Sequence, residues 1–305
     1  MSQRGRNRNL APVVGAVILL AACGGTAATV PGNSPSGNPT ATVTPGQASA
    51  SVGGPPPGAP APRHTSSGGQ TGGGTGGGSS AGGQPESNPD AGALGSMGRG
   101  FLRPLPYSSL DLEIDAAGGA GPSSAVVSDM VGLLQRETGK PVSQAGSHAI
   151  AGHGTGCWTD SDIGAAAGGR STHTSGATAS MLTLFLDGSY CSDANVLGLA
   201  FGATSMLVFS AQVEKLATVT VGPDQFMKSV ANHEIGHIFE LVNIGYQSRI
   251  NHEDPSHPHH SSNSQSVMYW AIDQGNLIQQ FVQGPPETFD SDDEADLAGL
   301  RDGTY

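Results

Sequence analysis

The chain has 305 residues, with 13 basic and 25 acidic side chains and a formal net charge of −12. Glycine and proline are abundant (47 and 21 residues), whereas charged residues make up only 12% of the chain. This acidic balance argues against nucleic acid as a partner and against electrostatic attachment to anionic lipid. No internal repeat is visible.

The first nine residues carry Arg4, Arg6 and Arg8 and no acid. An apolar run from Leu10 to Ala22 follows, too short to span a membrane as a mature helix. It ends Leu20-Ala21-Ala22-Cys23, which resembles the lipobox of bacterial lipoproteins. The resemblance implies a signal peptide over residues 1–22, cleavage before Cys23 and a lipid anchor to the membrane on that cysteine. The alternative is an ordinary secretory signal with an incidental cysteine. Either reading exports the protein, lipid-anchored on the extracytoplasmic side of a bacterial membrane or secreted. Loss of three arginines and no acid takes the net charge from −12 to −15, so no polybasic patch backs the acyl chains.

Residues 23–104 read as a tether rich in Gly, Pro, Ser and Thr, with too few large apolar side chains to offset the entropy of ordering. The folded domain is expected over residues 105–305, enough chain for one hydrophobic core. Leu110 to Ile114 alternates with acids and predicts a half-buried strand ending at Asp115. Ser123 to Glu137, with Val126, Met130, Leu133 and Leu134, predicts a helix stopped by Gly139 and Pro141. Strands are expected over Met181–Leu186 and Ser205–Phe209, with a weaker one over Val196–Phe201. Ser291-Asp292-Asp293-Glu294 predicts a capping box opening a helix to about Arg301. Its acids do not fit a calcium loop, which needs a glycine and a glutamate that are missing here. The order of elements predicts an α/β (α+β) sandwich with a mixed sheet. Cys157 and Cys191 are expected to form a disulfide outside the cytoplasm, two free buried thiols being the alternative.

His233-Glu234-Ile235-Gly236-His237 is an H-E-x-x-H signature, on a helix expected from about Pro223 to Val242 and ending at Asn243-Ile244-Gly245. Histidines four apart on a helix stand one above the other, so both imidazoles can reach one metal ion. One zinc ion suits nitrogen ligands, and Glu234 stands where its carboxylate can take a proton from water. A third ligand must come from downstream, where Glu240, Asn243, His252, Glu253, Asp254, His257, His259 and His260 are the candidates. Glu240 falls on nearly the same helix face but too far along.

Ser266-Val267-Met268-Tyr269 resembles the Met-turn of the metzincin metallopeptidases. The usual metzincin run H-E-x-x-H-x-x-G-x-x-H is altered here, with Glu240 at the glycine and Asn243 at the third histidine. The archaemetzincin pattern H-C-x(4)-C-x-M is similar to His260 through Met268, with Ser261 and Ser266 in place of both cysteines. An insertion of 17 residues would move the third ligand to His260, with His257 and His252 as alternatives. The resemblance covers residues 223–270 closely and implies a metzincin-like zincin with a mixed sheet. A zinc-binding active-site helix and a smaller C-terminal subdomain containing the Met-turn would complete it. It implies hydrolysis of peptide bonds in a peptide or protein substrate, with Glu234 as general base. Tyr269 is a candidate oxyanion donor, Phe209 and Trp270 are expected in the core, and His148, His153 and His173 in solvated loops. Two rival classes remain: a zinc-sequestering lipoprotein using His252, His257, His259 and His260, and a non-catalytic interaction protein on a degenerate peptidase scaffold.

Overall fold

The structure, a computed structural model, describes residues 92–168, 176–275 and 278–305. The leader, Cys23, most of the tether and His173 lie outside the described residues. Among the described residues no helix is long and apolar enough to cross a membrane.

The elements run α1 (Gly98–Leu102), β1 (Ser109–Ala117), α2 (Ser124–Thr138), β2 (Val142–Gln144), β3 (Ala149–Ile150), β4 (Cys157–Trp158) and α3 (Asp160–Ala167). They continue as β5 (Thr178–Leu186), β6 (Ser189–Tyr190), β7 (Gly198–Phe201), β8 (Ser205–Phe209), α4 (Ser210–Glu214), α5 (Pro223–Ile238) and α6 (Ser291–Asp302). The main sheet has the order β2-β1-β5-β8-β7, with β3 pairing the end of β1. All its pairs are parallel except β7 on β8, so the antiparallel strand stands at one edge.

Period-two geometry sends alternate residues of each strand to opposite faces. Met181, Phe185, Met206 and Val208 join the apolar cluster under α2 and α5, while Leu182, Leu184, Leu186, Leu207 and Phe209 join the one that includes Ile163 of α3. Both faces are therefore covered, the situation in which strands lose the alternation of a one-sided sheet. That coverage corrects the reading of β1 as half-buried, because Glu113 and Asp115 are buried along with Leu112 and Ile114. Their carboxylates are met by His148, whose Nδ1 lies 2.9 Å from Glu113 Oε1 and whose backbone N–H donates to Asp115. His148 is thus partnered rather than simply solvated, and His153 stacks on Trp158 at 3.9 Å.

The ordered fold starts before Leu105. Phe101 and Leu102 of α1 are fully buried, and Met97 nearly so. A short apolar triplet inside a glycine-rich stretch gives little periodicity, so its burial was invisible until the rest of the core was in place. The long helix is also shorter than predicted. It begins well, with Pro223 in its first turn and Asp224 beside it, both favoured at a helix start. It stops at Ile238, because Glu240 itself takes the left-handed conformation at φ 71°, followed by Val242 (54°) and Asn243 (66°). The turn thus falls at Glu240 rather than at Asn243-Gly245. At α6 the cap is Asp290 with Asp293 rather than Ser291 with Glu294, each side chain reaching the other's backbone N–H.

Cys157 and Cys191 are disulfide-bonded, tying β4 to the segment after β6. With a sequence separation of 34, loss of the cross-link by Cys157→Ser should cost about 3–4 kcal/mol through the freed unfolded chain. Urea unfolding of the two proteins checks this, and equal midpoints would contradict it.

Candidate metal centre

The centre is assembled from two pieces of chain. Helix α5 supplies His233 and His237, whose Nε2 atoms lie 3.1 Å apart. A compact turn supplies His260, held by Asp254 N–H to His260 O at 2.8 Å and by bridges pairing Ser261 with Glu253 and Tyr269. One ring nitrogen from each of the three histidines lies within 4.8 Å of the others. The ring of His260 is nearly parallel to that of His233 (19°) and edge-on to that of His237 (87°).

Hydrogen bonds fix which nitrogen two of the rings offer. His233 Nδ1 donates to Val267 O at 2.7 Å, leaving the Nε2 lone pair free. His260 Nδ1 donates to Pro258 O at 3.0 Å, and its Nε2 is enclosed with no hydrogen-bond partner among the described residues. A buried polar atom left without a partner is costly; His260 Nε2 is one, the Nε2 atoms of His233 and His237 have only each other, and nitrogens so gathered suit a divalent ion such as zinc. Burial, reinforced by His260, pushes His233 down to about 3. Burial also pushes His260 down to about 4 and His237 well below the ordinary value, with His233 adding to the effect on His237. All three are neutral, ligand-competent imidazoles near pH 7.

Met268 lies against α5 at Gly236. A Cβ built on Gly236 would stand 2.2 Å from Met268 Sδ, so the missing side chain between His233 and His237 is filled by the methionine. Glu234 lies against the edge strand. Its Oε1 lies where a Cβ on Gly198 would be, and its carboxylate accepts the Ala200 N–H. Burial first, and the Asp273 carboxylate second, hold Glu234 well above the usual carboxylate range. Part of Asp273 reaches solvent, yet its carboxyl is enclosed, and burial raises it to about 7.

The other histidines of the loop go elsewhere. His252 is buried on Asp296, His257 stacks on Trp270 at 3.8 Å and meets Asp254, and His259 Nδ1 meets Val242 O at 3.2 Å. Trp270 is therefore half-buried beneath an imidazole rather than a core residue. Tyr269 packs on Trp270 and Phe281. Glu240 turns back to Arg99, with Oε2 at 3.4 Å from Nε. Asn243 accepts the Ser248 N–H and donates to Glu253, anchoring the loop that carries His260. Sequence reasoning missed Val267 O, Ala200 N–H and Asp273, which act through position alone and carry no pattern.

No family model and no curated protein matches the sequence. Two solved structures resemble the chain, both archaemetzincins. That from Archaeoglobus fulgidus, complexed with malonate, is 15% identical with a TM-score of 0.38, over 62% of this chain and 99% of that one. That from Methanopyrus kandleri is 16% identical with a TM-score of 0.43, over 63% and 96%. Likeness at this level assigns neither family nor activity.

Two outcomes follow. Gly236→Ala should destabilise by about 1–3 kcal/mol, because the added methyl overpacks against the buried Met268 and Phe289 side chains; a thermal midpoint equal to the parent's would contradict the contact. The depressed histidines lose stability as pH falls from 6.5 towards 3–4. Asp273, raised to about 7, acts oppositely: its contribution is complete below the unfolded value of 3.8 and is lost as pH rises through 7. These opposed slopes offset one another in global unfolding, so the local readout is imidazole NMR. In chelator-treated protein the Cε1–H signals of the three histidines should not move between pH 8 and about pH 5. A midpoint near 6.5 for any of them would contradict its burial.

Proposed function

We propose that the chain is a zinc-dependent peptidase, with His233, His237 and His260 as metal ligands and Glu234 as the proton-accepting base. The observation that carries this reading is the closure of three neutral, enclosed imidazole nitrogens on one point with a carboxyl one residue from the first of them. Three protein ligands leave one coordination position open, the pattern of catalytic rather than structural zinc sites. Zinc, when bound, supplies the positive charge that polarises a carbonyl and makes both bound water and the Glu234 carboxyl more acidic. Glu234, once ionised, takes a proton from water and returns it to the leaving amine. Ala200 N–H orients that carboxylate.

The sheet supports a peptide as the substrate class. Among the described residues β7 has β8 as its one strand neighbour, residues 273–275 pairing only with the segment just before it, and Gly198 and Ala200 of β7 touch Glu234. An edge strand of this kind can hold an extended peptide by main-chain hydrogen bonds. Met268, under Gly236, is read as the residue of a Met-turn. The partners taken up by His257 and His259 favour peptidase over metal sequestration by a free histidine loop. Residues 1–22 serve as an export signal, and Cys23 is proposed as the lipid anchor, with residues 23–91 as spacer to the domain.

Zinc-loaded protein should cleave an unstructured protein substrate such as casein. Glu234→Gln should lower the rate by roughly 10²–10⁴-fold while zinc stays bound. Full activity in Glu234→Gln would remove the assigned base. In His260→Ala, zinc should be lost to a weak chelator that the parent resists; unchanged retention would displace His260 as ligand.

A further inference from the structure

A second group of ligand-type side chains lies apart from the three histidines, at the start of α6. His252 is buried, and its Nε2 donates to Asp296 Oδ2 at 2.9 Å. That bond fixes the ring and leaves the lone pair on Nδ1, the arrangement by which carboxylates orient metal-binding imidazoles. His252 Nδ1 is enclosed and has no hydrogen-bond partner among the described residues. It faces Asp293 Oδ1 at 3.6 Å, an oxygen equally enclosed and equally without one.

The second oxygen of Asp293 is committed, accepting from Ser266 Oγ and, at 3.1 Å, from the Asp290 N–H. Asp290 completes the group: one ligand-type atom from each of His252, Asp290 and Asp293 lies within 4.8 Å of the others. The Asp290 side chain is itself oriented, Oδ2 accepting from Asn263 Nδ2 at 2.7 Å and Oδ1 capping the helix. A separation of 3.6 Å is too long for a good hydrogen bond. It suits two atoms bound to one ion at about 2.0–2.2 Å each.

We propose that His252 Nδ1, Asp293 Oδ1 and the Asp290 carboxylate form a second divalent-cation site. One imidazole and two carboxylates suit zinc or manganese. The positive end of the α6 dipole opposes a cation here, but Asp290, Asp292, Asp293 and Asp296 together reverse the local field. An ion in this place joins the chain at His252, the helix start and, through Ser266, the residues leading to Met268. The segment between His252 and Ser266 carries His260, so the second ion holds the turn that presents the third ligand of the first. The competing occupant is a proton on Nδ1: burial pushes His252 down, but Asp296 and Asp293 outweigh it and leave the imidazole raised.

The test uses the full chain carrying His237→Ala and His260→Ala, which dismantle the first centre, with folding checked by circular dichroism. After incubation with zinc chloride and dialysis, elemental analysis should find one zinc per chain. Adding Asp293→Asn should weaken that binding at least tenfold. A folded His237→Ala/His260→Ala protein without zinc overturns the proposal in favour of the proton. Retention that Asp293→Asn does not alter overturns it by placing the ion elsewhere. Manganese in the same His237→Ala/His260→Ala background gives a readout independent of Asp293→Asn folding. Its electron spin-echo modulation should show one imidazole nitrogen, and absence of that coupling sinks the assignment. Because the first centre is absent throughout, failure here leaves the peptidase reading untouched.

Discussion

The hydrogen bond from His233 Nδ1 to Val267 O joins the two halves of the candidate centre. It sets the tautomer of the first ligand and fixes a distant segment against α5 at one register. The next residue, Met268, then fills the space over Gly236, and Met268 O receives the Ser261 N–H. His260 follows from that placement, since it directly precedes Ser261. A slip of one residue in this segment would point a different side chain at Gly236 and carry His260 away from the other two rings. Packing and polar satisfaction here specify the same alignment, the agreement between levels that gives a single native arrangement.

Burial sets the electrostatics of the whole region. It strips protons from the three histidines and keeps them on Glu234 and Asp273, so the metal-free centre avoids bare charge in a low-dielectric place. This leaves a set of lone pairs and a protonated acid that an arriving cation would rearrange together. The neighbouring cluster around Asp296 follows the same logic differently. Burial pushes Asp296 up, but His252, Tyr246, Ser248 and Tyr305 all donate to it and bring it below the ordinary value. That carboxylate joins the end of the chain, the loop after α5 and α6 into one network. The loop bearing His260 is therefore anchored by Asp296 at one end and Asp293 at the other.

How much of this was legible depended on whether the signal was local. His233 and His237 could be paired from sequence because helix geometry fixes residues four apart. Strands such as Met181–Leu186 were legible because a run of large apolar residues has few other fates. Glu113 and Asp115 were misplaced because alternation assumes one wet face, and only the second apolar layer over the sheet removes it. The end of α5 was misread because Glu240 and Val242 adopt left-handed backbone that glycine usually takes, and the loop's hydrogen bonds impose it. Trp270, expected in the core, is half-buried with His257 stacked on it, a contact no local pattern announces.

The sequence by itself determined four strands of the sheet (β1, β5, β7 and β8, but not β2 or β3), the long helix with two stacked imidazoles and an adjacent carboxyl, and the spacing from His260 to Met268. These rest on periodicities of two and 3.6 residues and on contacts within a few residues. The spacing to Met268 pointed to His260 but left His257 and His252 open; tertiary structure decided which of them turns to that helix, through the partners the fold brings to each. It also decided that Glu234 meets the edge strand through Ala200 and that His252 is enclosed with Asp293. Those pairings join residues more than thirty positions apart, where chain connectivity no longer constrains which groups meet and only packing and the cost of unsatisfied polar atoms do.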